Sequence, residues 1–421
     1  MKEFHTSTWY LGTEMPYYEK GIQEESPPRG YSPIYVNYLG RHGSRYVTSP
    51  NQAEVLYSTL DEADSRNQLT QSGCILKKQI GDFLALSEGK YGLLTPLGVK
   101  EEQGIARRMY ERFPQIFGRE VRAVSTYVTR AKQSMEAFLE ELAKYTPSNN
   151  FVALSNGEID PILRFFDLNL AYLNYKEKGK WKDSLRKFEE RKNISMPFMA
   201  QFFKSSYKLR QEEALELGTS LYTIYANTFN LTVDLGLNRY FDDKILYYYW
   251  ENANLRNFLE KGPSYRGEDL PTNIAFALLE DFLKTSEQAL QTGNVSADLR
   301  FAHAETLIPF ASLIKLCCCS KQTDHISKVA KVWCDSQVAP MAGNIQWIFY
   351  KSSNQGTILV KMLYNEKVMT LPIRPYCKPY YLWEDVKAFY WYVISKLHIP
   401  QVGSITAVSY THLTLPTTPY V

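Results

Sequence analysis

Two arginines bracket a histidine and a glycine in the run Arg41-His42-Gly43-Ser44-Arg45. Guanidinium groups keep their charge at any ordinary pH and fork onto the oxygens of a phosphate or carboxylate, so this pattern suits an anion held against a nitrogen nucleophile. The same fixed charges favour the neutral imidazole, the form that carries a free lone pair. A second histidine comes late, in Arg300-Phe301-Ala302-His303-Ala304-Glu305. Residues two apart in an extended or turning backbone point roughly the same way, so His303 and Glu305 are expected to face one site. One of them would bind the anion and the other would move a proton.

Elements of the right kind surround these residues. The β-branched and aromatic run Ile34-Tyr35-Val36-Asn37-Tyr38-Leu39 ends at Gly40, which reads as a buried strand delivering His42 to its carboxyl end. Gly43 lets the following loop turn sharply and approach a ligand closely. Val121 to Thr126 reads as a further short strand, leading to Arg130 at the start of an amphipathic helix, Ala131 to Leu142. Unpaired amides at such a helix start favour anions. Leu299 to Ala302 is expected to bring His303 to the same edge.

Strand and helix alternate as far as Phe151-Val152-Ala153-Leu154, the pattern of βαβ units and a mostly parallel sheet with helices on both faces. From about Asp160 helical spacing dominates: Trp181 to Lys192, Met196 to Glu216, Thr219 to Phe229, Tyr240 to Leu259 and Thr272 to Gln291. Asn344 to Lys351 and Thr357 to Tyr364 read as a hairpin, and Leu382 to Leu397 as a covering helix. The expected organisation is an α/β core in two parts, residues 1–157 and 297–407, interrupted by an α-helical cap at 158–296.

The 421 residues suffice for a substantial core, and a hydrophobic fraction of 44% with 22% charged is that of a soluble globular protein. A net charge of +3 gives no strong pull on nucleic acid or membranes, so any polyanion site must be local. No apolar run approaches the roughly 18 residues of a membrane span, and Met1-Lys2-Glu3-Phe4-His5 lacks the apolar region of a signal peptide. Six cysteines include no Cys-x-x-Cys pair, and there is neither a Gly-x-x-x-x-Gly-Lys loop nor a paired-aspartate metal site, so no cofactor or metal is expected. Cys317, Cys318 and Cys319 read as small buried residues of a helix. Residues 408–421 match the in-frame reading of a transposon sequencing adapter, and are expected to be a non-native tail.

Taken together, the two histidine stretches resemble the histidine phosphatase superfamily, in its acid phosphatase and phytase branch. That branch carries Arg-His-Gly-x-Arg-x-Pro early and His-Asp or His-Ala-Glu late; here Val47 stands at the proline position, and His303-Ala304-Glu305 is the version of the multiple inositol polyphosphate phosphatases. Thr13-Glu14-Met15-Pro16-Tyr17 resembles the family's Thr-Lys-Thr-Pro-Tyr, Leu94-Thr95-Pro96-Leu97-Gly98 its Leu-Thr-x-x-Gly, and Leu163-Arg164-Phe165-Phe166-Asp167 its Leu-Arg-Phe-Phe-Asp. The likeness runs from about Tyr10 to about Ile399.

The resemblance implies a histidine phosphatase fold with an inserted helical cap, a secreted or periplasmic home, and hydrolysis of inositol polyphosphates such as phytate, with 2,3-bisphosphoglycerate as a further candidate. It implies His42 as nucleophile, a phosphate clamp of Arg41, Arg45, Arg130 and His303, and a protonated Glu305 as acid to the leaving alcohol. The partner is then a small phosphomonoester. Two other readings remain open: a low-specificity acid or sugar-phosphate phosphatase on the same machinery, and a catalytically dead anion-binding protein. The second sits poorly with a complete set of chemical groups.

Overall fold

Strand β1 (Tyr31–Arg41) is the middle of the molecule, and its alternation divides the core. Tyr35 and Leu39 join one apolar cluster while Val36 and Tyr38 join another, as successive strand residues must. The computed structural model describes residues 6–19, 26–148, 150–354 and 356–397. The expected tail at 408–421 and the first five residues lie outside them.

After β1 the chain runs through α1 (Asn51–Ser65), α2 (Gln71–Ser87) and α3 (Pro96–Arg112) into β2 (Glu120–Ser125), then α4 (Thr129–Tyr145) and β3 (Phe151–Ser155). Next come α5 (Phe165–Leu168), α6 (Leu170–Lys178), α7 (Trp181–Glu190), α8 (Ser195–Ala200), α9 (Gln211–Leu231), α10 (Asp243–Glu260), α11 (Leu270–Asn273) and α12 (Phe276–Thr292). Strand β4 (Val295–Ala302) returns the chain to the sheet, followed by α13 (Ala304–Leu313), α14 (Val329–Val332) and α15 (Asp335–Val338). The chain then forms β5 (Asn344–Ser352), β6 (Ile358–Tyr364), β7 (Lys367–Met369), β8 (Tyr381–Leu382) and α16 (Trp383–Ser395).

The sheet order is β3-β2-β4-β1-β5-β6-β7, with β8 also paired to β6. Strands β1 to β4 pair in parallel, and β5 to β8 extend the sheet antiparallel. Residues of α3 and α4 such as Ile105, Met109, Met135 and Phe138 cover one face, and Phe282 of α12 with Leu307 and Phe310 of α13 cover the other. A parallel strand covered on both faces is buried throughout, and all eight residues of β4 are. Its charges survive there by pairing. Arg122 grips both oxygens of Asp298 at 2.7 Å, and Arg300 pairs with Asp281 at 2.6 Å.

Three sequence expectations need correction. Strand β4 begins at Val295, not Leu299. The expected helix Met196 to Glu216 is broken after Ala200, where Phe203 bridges to Leu69 and the Phe202 carbonyl accepts from Thr70 N at 3.0 Å. Helix α9 instead runs unbroken through Gly218, whose missing side chain admits Tyr249: a Cβ there would lie 1.8 Å from its hydroxyl oxygen. Finally, α13 stops at Leu313 and Lys315 takes a left-handed φ of 57°, so Cys317 and Cys318 are exposed turn residues and only Cys319 is buried. Of the aromatic run Tyr247-Tyr248-Tyr249-Trp250 in α10, the last three are buried and Tyr247 is only partly so.

Candidate active site

Three parallel strands end at one level. Arg41 lies opposite Ala302 and Ser125 opposite Phe301 in the register, while His42 N donates to Ala302 O at 3.0 Å and Thr126 N to Phe301 O at 3.2 Å. The residues that follow, His42, Thr126 and His303, therefore project from the same sheet edge, where a ligand cleft is expected in an open α/β sheet. The imidazoles of His42 and His303 meet edge to face with centroids 5.6 Å apart, and both side chains are buried. Residues separated by most of the chain thus converge as their spacing alone could not require.

The loop carrying His42 is held from beneath. Gly43 N donates to Ser134 Oγ at 3.1 Å, and Ser44 N and Ser44 Oγ donate to the Glu101 carboxylate at 2.6 and 2.9 Å. Thr95 N and Thr95 Oγ1 donate to Ser44 O at 2.9 and 3.0 Å. Backbone meets backbone here: a Cβ on Gly43 would stand 2.6 Å from Gly98 O, and one on Gly98 2.2 Å from Ser44 O. The Leu-Thr-x-x-Gly resemblance at Leu94–Gly98 thus marks the seat of the loop.

His42 Nδ1 lies 2.9 Å from Gly43 O. A carbonyl oxygen only accepts, so Nδ1 carries the ring proton and Nε2 keeps its lone pair. Burial, reinforced by Arg130 and Arg41, holds His42 well below the ordinary histidine range, so the ring stays neutral. His303 is pushed the same way by burial and by Arg130. Its Nε2 lies 2.9 Å from Thr126 Oγ1 and 3.2 Å from Arg164 Nη1, and its Nδ1 lies 3.5 Å from Arg130 Nη2.

The expected arginines surround this pair. Arg41 is fully buried and anchored by Nη1 to Thr13 O and Ala339 O, both at 2.6 Å. Burial draws its guanidinium down to about 10, and Arg130, pressed further by Arg45, also falls to about 10; both remain charged at neutral pH. Arg45 donates to Tyr46 O at 3.1 Å and pairs with Glu14 at 2.8 Å. Among the described residues, Arg41 Nε, Arg45 Nε and Arg130 Nε are each buried without an acceptor. An unmatched buried donor costs about 1–3 kcal/mol, and three in one cluster are suited to an oxyanion.

Glu305 sits in the first turn of α13, two residues after His303, and its charge is felt by Arg41 and Arg130. Its protonation differs from the sequence expectation. Lys261 Nζ stands 2.7 Å from Glu305 Oε1, and although burial alone would push the carboxyl up, Lys261 holds it well below the usual carboxylate range. Glu305 is therefore a carboxylate in this state. Sequence reasoning also missed Lys261 itself, Thr126 and Arg164 as site residues. Arg164 stands out in the sequence only within Leu163-Arg164-Phe165-Phe166-Asp167 and Thr126 only as the end of the strand that leads towards Arg130, while nothing local marks Lys261.

The description of the histidine phosphatase superfamily (branch 2) matches residues 34–365 of this chain. The chain belongs to that superfamily. It is a phosphatase of the histidine acid phosphatase and phytase type. It is 25% identical over 423 residues to multiple inositol polyphosphate phosphatase 1 of Homo sapiens, covering 90% of this chain and 82% of that protein. The apo crystal structure of the Bifidobacterium longum multiple inositol polyphosphate phosphatase superposes with a TM-score of 0.81 at 22% identity, over 90% of this chain and 97% of the other. The phytase from D. castellii shares the fold at 13% identity, with a TM-score of 0.72 over 91% and 85% of the two chains. Among the described residues no helix is long and apolar enough to cross a membrane.

Proposed function

We propose that this histidine phosphatase hydrolyses inositol polyphosphates, inositol hexakisphosphate included, through a phosphohistidine on His42 and without a metal ion. The observation that carries the reading is the Nδ1–H of His42 bound to Gly43 O, which leaves Nε2 as a fixed lone pair among Arg41, Arg45 and Arg130. His42 Nε2 attacks phosphorus while the arginines and His303 meet the charge on the equatorial oxygens, the task that a cation performs in other phosphoryl transferases. Glu305, once protonated, gives its proton to the departing alcohol, and as a carboxylate it then takes one from the water that hydrolyses the phosphohistidine. The relatives named for multiple inositol polyphosphates support the substrate class. Rapid acid-free quenching during turnover of inositol hexakisphosphate should trap a base-stable, acid-labile phosphoenzyme that His42→Ala abolishes together with turnover. A phosphoenzyme on another residue, or activity lost to EDTA, would contradict the scheme.

A second reading, phosphatase action on smaller sugar phosphates, is favoured by one residue. Glu14 stands where the resembled family motif has lysine, and its carboxylate is held against Arg45 by Asn227 and Asn230 at 3.2 and 2.9 Å. A fixed negative charge there opposes a neighbouring substrate phosphate. Comparing kcat/KM on inositol hexakisphosphate and glucose 1-phosphate separates the two.

A further inference from the structure

General acid catalysis by Glu305 meets an obstacle in the free site. The leaving alcohol is a very weak acid and must receive a proton, yet Lys261 keeps the donor ionised. Lys261 follows the end of α10, its backbone N–H bonded to Asn257 O at 3.0 Å, so its flexible side chain reaches the cleft from a fixed base. The pair is not sealed: the side chain of Lys261 is 15% exposed and that of Glu305 33%. Solvent can therefore reach the carboxylate. The charged and titratable groups facing it are Lys261 at the end of α10, Arg41 from β1, Arg130 from α4, Tyr172 from α6, and His303 beside it; Glu260 acts in turn on Lys261.

We propose that Lys261 is a positioning residue that exchanges partners: it pairs with Glu305 in the free enzyme and turns to a second phosphate adjoining the scissile one when substrate binds, releasing Glu305 to take a proton. The proposal rests on the reaction read above and deepens it. Substrates with neighbouring phosphates, as on a polyphosphorylated ring, carry the group that arms the acid; isolated alkyl monophosphates do not. The proton comes from solvent and adds to a Glu305 oxygen. His42 Nε2 then forms its bond to phosphorus as the P–O bond breaks, and the departing oxygen takes that electron pair and the Glu305 proton. In the second half, water attacks phosphorus and gives a proton to the Glu305 carboxylate while the N–P bond returns its pair to Nε2.

The test measures kcat/KM against pH for glycerol 2-phosphate and inositol hexakisphosphate, with p-nitrophenyl phosphate, whose leaving group needs little protonation, as the reference substrate. In Lys261→Met the alkaline limb for glycerol 2-phosphate should move up by about one pH unit, raising its rate relative to p-nitrophenyl phosphate about tenfold at pH 7. The preference for inositol hexakisphosphate over glycerol 2-phosphate should shrink correspondingly. Lys261→Arg, which keeps the charge, should leave the limb near its original place, a rescue that a purely structural role would not produce. An unmoved limb in Lys261→Met, or equal losses on all three substrates, overturns the proposal. If a His42 phosphoenzyme forms normally while the limb stays put, only the exchange of partners fails; if no such phosphoenzyme forms, the reaction itself has been misread.

Discussion

Arg164 Nη1 lies 3.2 Å from His303 Nε2, with its guanidinium packed against the rings of Tyr127 and Phe166 and its Nη2 paired with Asp167. A fixed cation against an imidazole nitrogen keeps that ring neutral, after burial and Arg130 have already pushed it the same way. Arg164→Met should raise the titration midpoint of His303 towards the ordinary histidine range. Proton NMR of the His303 ring, assigned by comparison with His303→Asn, reads the shift; an unchanged midpoint would show that Arg164 bears on substrate alone.

Glu14 offsets part of the positive charge that Arg45 offers an anion. In Glu14→Gln the partly buried pair is lost, and inorganic phosphate should inhibit about fivefold more tightly, the equivalent of about 1 kcal/mol. Competitive inhibition constants measured at two salt concentrations check this, and the gain should narrow at high salt. Weaker inhibition would mean that Glu14 positions Arg45 more than it neutralises it.

Gly98 leaves no space for a methyl group against the loop that carries His42. The contact is with the Ser44 backbone, so relief requires moving the loop itself. Gly98→Ala should cost about 1–3 kcal/mol of stability and lower kcat together with it. Thermal unfolding and steady-state kinetics on one preparation decide whether the two losses accompany each other.

Glu101 titrates abnormally because burial lifts its carboxyl from 4.5 to about 7 against the pull of Ser44, Tyr17 and Arg41. A folded-state value above the unfolded one means that the native protein binds the proton more tightly. The resulting stabilisation is complete below about 4.5 and lost as pH rises through about 7, roughly 3 kcal/mol for a shift of this size. Glu101→Gln gives up one acceptor of the loop amides but also removes this dependence. Urea midpoints at pH 5 and pH 8 should therefore lie closer together in the variant than in the parent protein.

What the sequence disclosed and what it hid follow from range. Arg41, His42 and Arg45 announce themselves because one short loop holds them all, and Arg130 because a strand end delivers a helix start. The start of β4 is masked in the sequence because Ser296 and Asp298 interrupt its apolar residues, and the partner of Asp298, Arg122, lies on another strand. The continuity of α9 through Gly218 depends on Tyr249, a residue of another helix packed against it. Lys261 and Glu305 lie 44 residues apart, and only tertiary packing brings the amine to the carboxylate. That encounter also lowers the proton affinity of Glu305 in the free site, which motif likeness does not disclose: a motif specifies a residue type, whereas its charge depends on neighbours drawn from other elements.

The carbonyl of Thr13 is one of the two oxygens that fix Arg41, and Glu14 beside it meets Arg45. The 3-10 segment Thr6–Glu14 is in turn tied down where Tyr222 Oη donates to Tyr10 O at 2.7 Å. Thr13 and Glu14, well ahead of the first strand, are therefore part of what holds two arginines of the candidate site. A change that displaces Thr13 or Glu14 would therefore loosen both arginines from outside the sheet, and its effect on turnover would report on Arg41 and Arg45.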